Sequence, residues 1–407
     1  MLRQYWHWCR VSSIHLQKKD ILVFIFMSVL LSTPQRVALL CLQMIFGLLS
    51  LLSSLTIMFM ILISKKKLSV PFRRLIFGLS LYDVIYSFAH VVTWVTLPST
   101  NGVTIGNQET CTIQGCIKFI GNVGSPMYSA SLCINYACVI ILSMKMSTFE
   151  TIIEPFLHII PLLWSLIGAT YLSIQGFFNI NPNAISCGIQ PYPSNCVQDE
   201  TIPCQRGKNF MKVKWIVLVI PIISVYVLIT LIMILIYWTV KRQEWNVKKY
   251  SFEYQRNNTT DRDQTILCNQ TQTERRPTRR LYRTKNRVSQ RIHSVLSTKS
   301  KKTRAVFIQS MLYVFAFLIT WIFPLIQVSF RNSTGLGPYL TNIAAKIFNP
   351  AQGVINMLVY TRPSILSLRK FHPEYSWWKA FITVVKSGGD NDGTLSAERH
   401  RRHSRHM

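Results

Sequence analysis

Ionisable side chains interrupt the apolar stretches of this 407-residue chain, among them Asp83, His90, Lys118 and Lys346. A charge at the centre of a bilayer costs about 2.5–3.5 kcal/mol on insertion scales, so such residues are expected where partner groups or a ligand compensate them. Their spacing says more. On a helix, residues three, four, seven and eleven apart share one face. Lys346, Asn349, Pro350, Gly353, Asn356 and Tyr360 follow that spacing in one stretch. Lys118, Asn122, Ser125, Ser129 and Tyr136 do so in a second, and Asp83, Ser87, His90 and Trp94 in a third. Stripes of this kind are shielded from lipid if they face one another across a helix bundle.

Depth divides the stripes into two kinds of chemistry. At 1.5 Å per residue, Lys118 lies about 10 Å and Lys346 about 12 Å below the outer ends of their stretches, with His90 near the same level. No acidic residue of these three stretches shares that level. Lys118, Lys346 and His90, with Asn122 and Trp94 beside them, are therefore expected to floor an outward-opening pocket for a small anionic ligand. The competing expectation is that each lysine snorkels to the outer interface along its own stem. Asp83 is deeper, between the levels of Asn349 and Asn356. It either locks two helices together or belongs to a polar switch, hydrated or cation-holding, with Asn349, Asn356 and Tyr360. Pro221, Pro324 and Pro350 are expected to kink their helices, which places Trp321 and Pro324 of "WIFP" in the same moving region.

Seven apolar stretches must position these residues: about 37–64, 75–97, 111–143, 155–178, 213–240, 305–330 and 338–360. Each is long enough to cross roughly 30 Å of hydrocarbon with about 20 residues. A shorter apolar run at 21–32, within an N-terminal segment 1–36, fits either a signal-peptide core or a short anchor. The fold class is thus all-α: a polytopic membrane protein with a seven-transmembrane-helix bundle at 37–360. Lys and Arg total 45 against 16 Asp and Glu, and they crowd the loops after the first, third and fifth stretches and the tail. Positive-inside bias puts those loops in the cytoplasm.

Cys111, Cys187, Cys196 and Cys204 then lie outside, where thiols oxidise. Four cysteines allow three pairings; the favoured one is Cys111–Cys187 with Cys196–Cys204. The long cytoplasmic loop, 241–304, begins with a segment poor in apolar residues that is expected to be disordered. It ends strongly basic, as a surface for a signalling partner or for anionic lipid. Residues 361–386 read as an amphipathic eighth helix lying along the membrane with Trp377 and Trp378 at headgroup level, followed by a disordered tail, 387–407.

The stretches "RRLIFGLSLYDVIYS", "CTIQGCIKFIGN", "IIEPFLHIIPLLW", "CGIQPYPSNC" and "NPAQGVINMLVYTRP", in that order along one chain, resemble the G-protein-coupled receptors. They look closest to the protist cyclic-AMP-receptor-like group near the secretin-like (family 2) superfamily. The resemblance spans roughly 37–380. It implies a cell-surface receptor in which an extracellular ligand, binding among the outer helix ends, activates a heterotrimeric G protein. Asp83 is similar to the helix-2 aspartate of rhodopsin-like receptors, and Asn356 with Tyr360 to their helix-7 Asn…Tyr element. The third stretch ends in "IILSMKMSTFE", without Asp-Arg-Tyr, so that coupling lock is not carried over.

Other function classes fit less well. A transporter or channel would use the same polar faces as a permeation path, but internal repeats in corresponding halves are missing. Lys346 stands three residues before Asn-Pro, out of register with the retinal lysine of animal opsins. No HExxH pair, paired membrane carboxylates or Ser/His constellation supports an enzyme, and no cofactor or metal is implied. Without zinc-knuckle spacing or aromatics interleaved with basic residues, nucleic acid is not an expected partner.

Overall fold

The computed structural model describes residues 33–99, 104–181, 185–193, 196, 201–269, 303–326 and 336–389. The apolar run at 21–32, the basic half of the long loop, the sequon at Asn332 and the tail from 390 lie outside them. The chain forms two compact units. Met1–Leu132, Met146–Leu228 and Tyr313–Met407 make up the first; Cys133–Lys145 and Ile229–Leu312 make up the second.

The elements in order are α1 (Thr33–Ile63), α2 (Pro71–Val91), α3 (Gln108–Ile140), α4 (Glu154–Ile174), β1 (Phe178–Asn181), β2 (Ser186–Ile189) and α5 (Ile220–Asn269). They continue with α6 (Thr303–Ile326), α7 (Leu336–Phe348), α8 (Gln352–Phe371) and α9 (Trp377–Lys386). All seven expected stretches are helical, with ends shifted by a few residues, and the seventh is divided into α7 and α8. Two larger differences concern the cytoplasmic side. α5 runs on to Asn269, so the first half of the long loop is helical rather than disordered; its Lys, Arg, Gln and Glu are good helix formers once a helix feeds into them. The 361–386 segment splits: α8 carries the chain straight on to Phe371, and the amphipathic helix proper is α9.

Among the described residues, four helical segments are apolar enough to span a membrane on composition alone: Pro34–Ile63, Met146–Ile174, Phe210–Tyr250 and Thr303–Ile326. They also turn broad apolar faces outward. On α4, Phe156, Ile160, Leu163 and Ile167 are at least half exposed, an arrangement that only lipid makes tolerable. The remaining helices, α2, α3 and the α7–α8 pair, are those that carry the polar stripes, and they bury them.

Prolines mark where backbone groups are freed. Pro161 lacks an N–H for the carbonyl of Leu157, and Ser131 Oγ donates to that carbonyl at 3.3 Å. Pro221 likewise follows a π turn, Trp215–Val219, and the carbonyl of Val217 accepts from Trp164 Nε1 at 3.4 Å. Each freed acceptor is recruited to join two helices, as an apolar surrounding demands. Elsewhere α2 and α3 come close because Gly124 has no side chain: a Cβ there would sit 1.9 Å from the Tyr82 ring.

At the outer end the antiparallel hairpin β1–β2 pairs Ile180 with Cys187 and Phe178 with Ile189. Cys111–Cys187 ties it to α3, and Cys196–Cys204 closes a local loop after it. Phe178 wedges among Phe119, Val123, Leu172 and Phe210 in a buried cluster. At the inner end Met60, Ile365, Leu368, Ala380 and Val384 form another, docking α9 on α1 and α8. In the second unit, Arg304 approaches Glu244 at 3.8 Å, and the rings of Tyr237 and Phe307 lie 6.4 Å apart.

Candidate polar site of the helix bundle

The outer level gathers cations whose partners are neutral. Lys346, 7% exposed, donates to Gln43 Oε1 of α1, and Lys118 donates to Ser186 Oγ of β2 at 2.9 Å. Lys118 acts electrostatically on Lys346 and both act on His90; Lys214 adds its field to Lys118. Among the described residues no carboxylate pairs with either lysine. His90 is 3% exposed, rests its ring against Tyr86 with centroids 4.5 Å apart, and has no hydrogen-bond partner on either nitrogen. The head of Lys346 stays among the helices, whereas that of Lys118 reaches the outer hairpin. Leu39, Leu40, Leu97, Cys111, Ile185 and Cys187 form an apolar cluster at the same end of the bundle. Trp94 packs against that cluster, and Asn122 is half-buried one turn inward of Lys118.

The deeper level is a single hydrogen-bonded chain across four helices. Ser125 Oγ donates to Asp83 Oδ1 at 2.5 Å, and Asn356 Nδ2 donates to Asp83 Oδ2 at 2.7 Å. Gln352 Nε2 donates to Ser125 Oγ at 2.7 Å, and Trp321 Nε1 donates to Gln352 Oε1 at 3.0 Å. α2, α3, α6 and α8 are joined through buried atoms alone, in surroundings where such bonds are strengthened. Between the two levels stands the break in the seventh stretch. Pro350 interrupts the helix, and Tyr86 Oη donates to Asn349 Oδ1 at that break. On the other side of it Gly353 N donates to Ser50 Oγ at 3.0 Å, and Ser87 Oγ donates to the same hydroxyl at 2.9 Å.

Asp83, Asn356 and Trp321 therefore meet in one network, with Asn349 one hydrogen bond from Tyr86. The ring of Tyr360 packs beside the inner α8–α9 cluster. Pro324 lies one turn outward of Trp321 on α6, partly buried. Sequence reasoning missed Gln43, Thr93, Gln114 and Gln352, the neutral residues that organise both levels. It also missed a charged cluster at the inner end, where Arg74 meets Glu154 at 2.5 Å and Glu150 at 3.1 Å. His158 extends this cluster, lying 3.5 Å from Glu154 and 2.8 Å from Tyr128 Oη. A glutamine four or seven positions from a stripe residue was the available signal.

No protein-family model matches the chain, and no curated protein sequence does. Among solved structures it is similar to the crystal structure of squid rhodopsin, with a TM-score of 0.53 over 90% of this chain and 94% of that one. The fold is the seven-helix membrane fold of that rhodopsin. At 14% identity the likeness extends to the fold alone, and it agrees with a multi-pass membrane protein carrying two disulfides.

Proposed function

We propose that this chain is a cell-surface receptor, resident in the plasma membrane, that binds a small extracellular anion and activates a heterotrimeric G protein. The motif resemblance to the protist cyclic-AMP-receptor-like group belongs to the same reading. The observation that carries it is the pair Lys118 and Lys346, the first partly buried and the second buried, whose hydrogen-bond partners are neutral groups. An anion supplies the compensation that the two ammonium groups otherwise lack.

Lys346 sits one turn before the Asn349–Pro350 break, and Asn356 and Gln352 follow it on α8. A ligand that draws on Lys346 therefore pulls on the element that carries the Asp83 network. Movement of α8 would be transmitted through Gln352 to Trp321 on α6, so the outer event has a physical path to the inner ends of the helices. Asp83 acts here as the junction of that path.

Guanine-nucleotide exchange on a panel of heterotrimers, with the full chain in lipid nanodiscs, is the test. Exchange above empty nanodiscs that rises with a mixture of cyclic nucleotides and small organic anions is expected. Lys118→Ala and Lys346→Ala are each expected to abolish the rise while surface expression stays intact. Unchanged potency in both variants would overturn the anion reading, and absence of exchange across the panel would overturn coupling. Solute flux in the same preparation would then favour a transporter or channel.

A further inference from the structure

Gln43, Thr93 and Gln114 fix each other's orientations, and the last of them is left with an acceptor facing nothing. Gln43 Nε2 and Gln114 Nε2 both donate to Thr93 Oγ1, at 2.9 and 2.7 Å. Thr93 Oγ1 itself donates to the carbonyl of His90 at 2.9 Å, so both lone pairs and the proton of that hydroxyl are in use. Gln114 Nε2 also donates to the carbonyl of Ala89 at 2.8 Å. A carbonyl only accepts, so the amide of Gln114 cannot be turned over without setting oxygen against oxygen. Its Oε1 therefore stays as it is, buried and without a donor, in a side chain 1% exposed.

The orphan belongs to the cationic level by direct connection. Gln43, on the far side of the shared hydroxyl, takes the ammonium of Lys346. His90, whose carbonyl closes the network, has its own ring nitrogens free and feels both Lys118 and Lys346. Two ammonium groups call for an oxyanion, whereas the amide oxygen of Gln114 calls for a hydrogen-bond donor. Acceptor-only anions satisfy the first demand and are repelled by the second.

We propose that this outer polar level is selective for an oxyanion bearing its own O–H or N–H donor, such as a hydroxy acid or a protonated phosphate, and that Gln114 is the specificity-determining residue that receives this donor. The selectivity rests on the anion-binding reading of Lys118 and Lys346 and is independent of G-protein coupling. The class is narrower than "anion" because a buried acceptor left unpaired on binding penalises every ligand that cannot donate to it.

Inorganic phosphate and sulfate separate the two demands. They have nearly the same size and shape, but at about pH 6 phosphate retains O–H groups whereas sulfate has none and carries the larger charge. Plain electrostatic attraction thus favours sulfate, and donation to Gln114 favours phosphate. Equilibrium binding to the full chain in nanodiscs, read by ligand-dependent thermal stabilisation, needs no G protein.

Phosphate is expected to bind at least about tenfold tighter than sulfate. Gln114→Leu is expected to weaken phosphate and, by removing the repelling oxygen, to tighten sulfate, bringing the ratio towards one, while Lys118→Ala abolishes both. Sulfate binding as tightly as phosphate, or an unaltered ratio in Gln114→Leu, overturns the assignment. If Gln114→Leu does not fold, the wild-type ratio decides. Failure of both anions to bind removes the anion reading together with the selectivity, whereas a normal ratio without nucleotide exchange in the coupled assay removes only G-protein coupling.

Discussion

Asp83 accepts one hydrogen bond on each carboxylate oxygen, from Ser125 and from Asn356. Truncation to alanine orphans both donors in a dry interior, and each buried unsatisfied group costs about 1–3 kcal/mol. Asp83→Asn keeps one acceptor oxygen and loses the other. Thermal unfolding in nanodiscs is therefore expected to order the proteins as wild type, Asp83→Asn, Asp83→Ala, with the alanine variant clearly lowest; equal midpoints for both variants would mean that these two bonds do not stabilise the fold. Asp83 was legible in the sequence because a lone carboxylate in an apolar stretch has no bland explanation on hydropathy. Gln43, Gln114 and Gln352 were not. An uncharged amide is tolerated almost anywhere, and what makes each of these matter is a partner on another helix, such as Ser125 for Gln352. Arg74 with Glu154 was illegible for the same reason: the two are 80 positions apart, and each alone is an ordinary charge near a helix end.

The α7–α8 break shows what a local signal can and cannot specify about an element. Asn349-Pro350 announced an interruption, since proline removes a donor and its ring clashes with the preceding turn. The continuation of α8 past Arg362 and Pro363 to Phe371 had no such signal, because it depends on the packing of Ile365 and Leu368 against Met60 and α9. The stretches that became α2 and α3 were legible as spans despite their polar residues, because those residues are confined to one face of each helix. Gly353 sits at the closest approach of α8 to α1: a Cβ there would lie 2.2 Å from Ser54 Oγ and 2.5 Å from Ser50 Oγ. Ser50 cannot swing clear without releasing Gly353 N and Ser87, both of which donate to its hydroxyl. Gly353→Val is expected to separate the helices and lower the unfolding midpoint, at a cost of about 1–3 kcal/mol from overpacking. Valine at the neighbouring lipid-facing position Leu358, which is 57% exposed, is expected to change it little. Similar midpoints for the two variants would place the α1–α8 contact elsewhere.

At the scale of the molecule, the first unit is closed at its outer end by the β1–β2 hairpin and open to regulation from there. Lys118 is bonded to Ser186 of that hairpin, and Cys187, the next residue, is bonded to Cys111 at the start of α3. The disulfide thus holds the hairpin beside one of the two lysines proposed to bind an anion. Cys196–Cys204 closes only a short loop, at a sequence separation of 8 against 76 for Cys111–Cys187. On chain-entropy grounds the long closure is worth about 4–5 kcal/mol and the short one about 2–3 kcal/mol. Paired serine variants are therefore expected to differ twice over. Cys111→Ser/Cys187→Ser loses more stability, and its surviving folded fraction binds phosphate with faster association and faster release, because the hairpin no longer holds Ser186 against Lys118. Cys196→Ser/Cys204→Ser loses less and keeps both rates. Stopped-flow binding and thermal unfolding in nanodiscs read the two effects separately. Unchanged rates in the first variant would mean that the hairpin is a structural plug whose position does not govern entry, and that the ligand arrives between the helices instead.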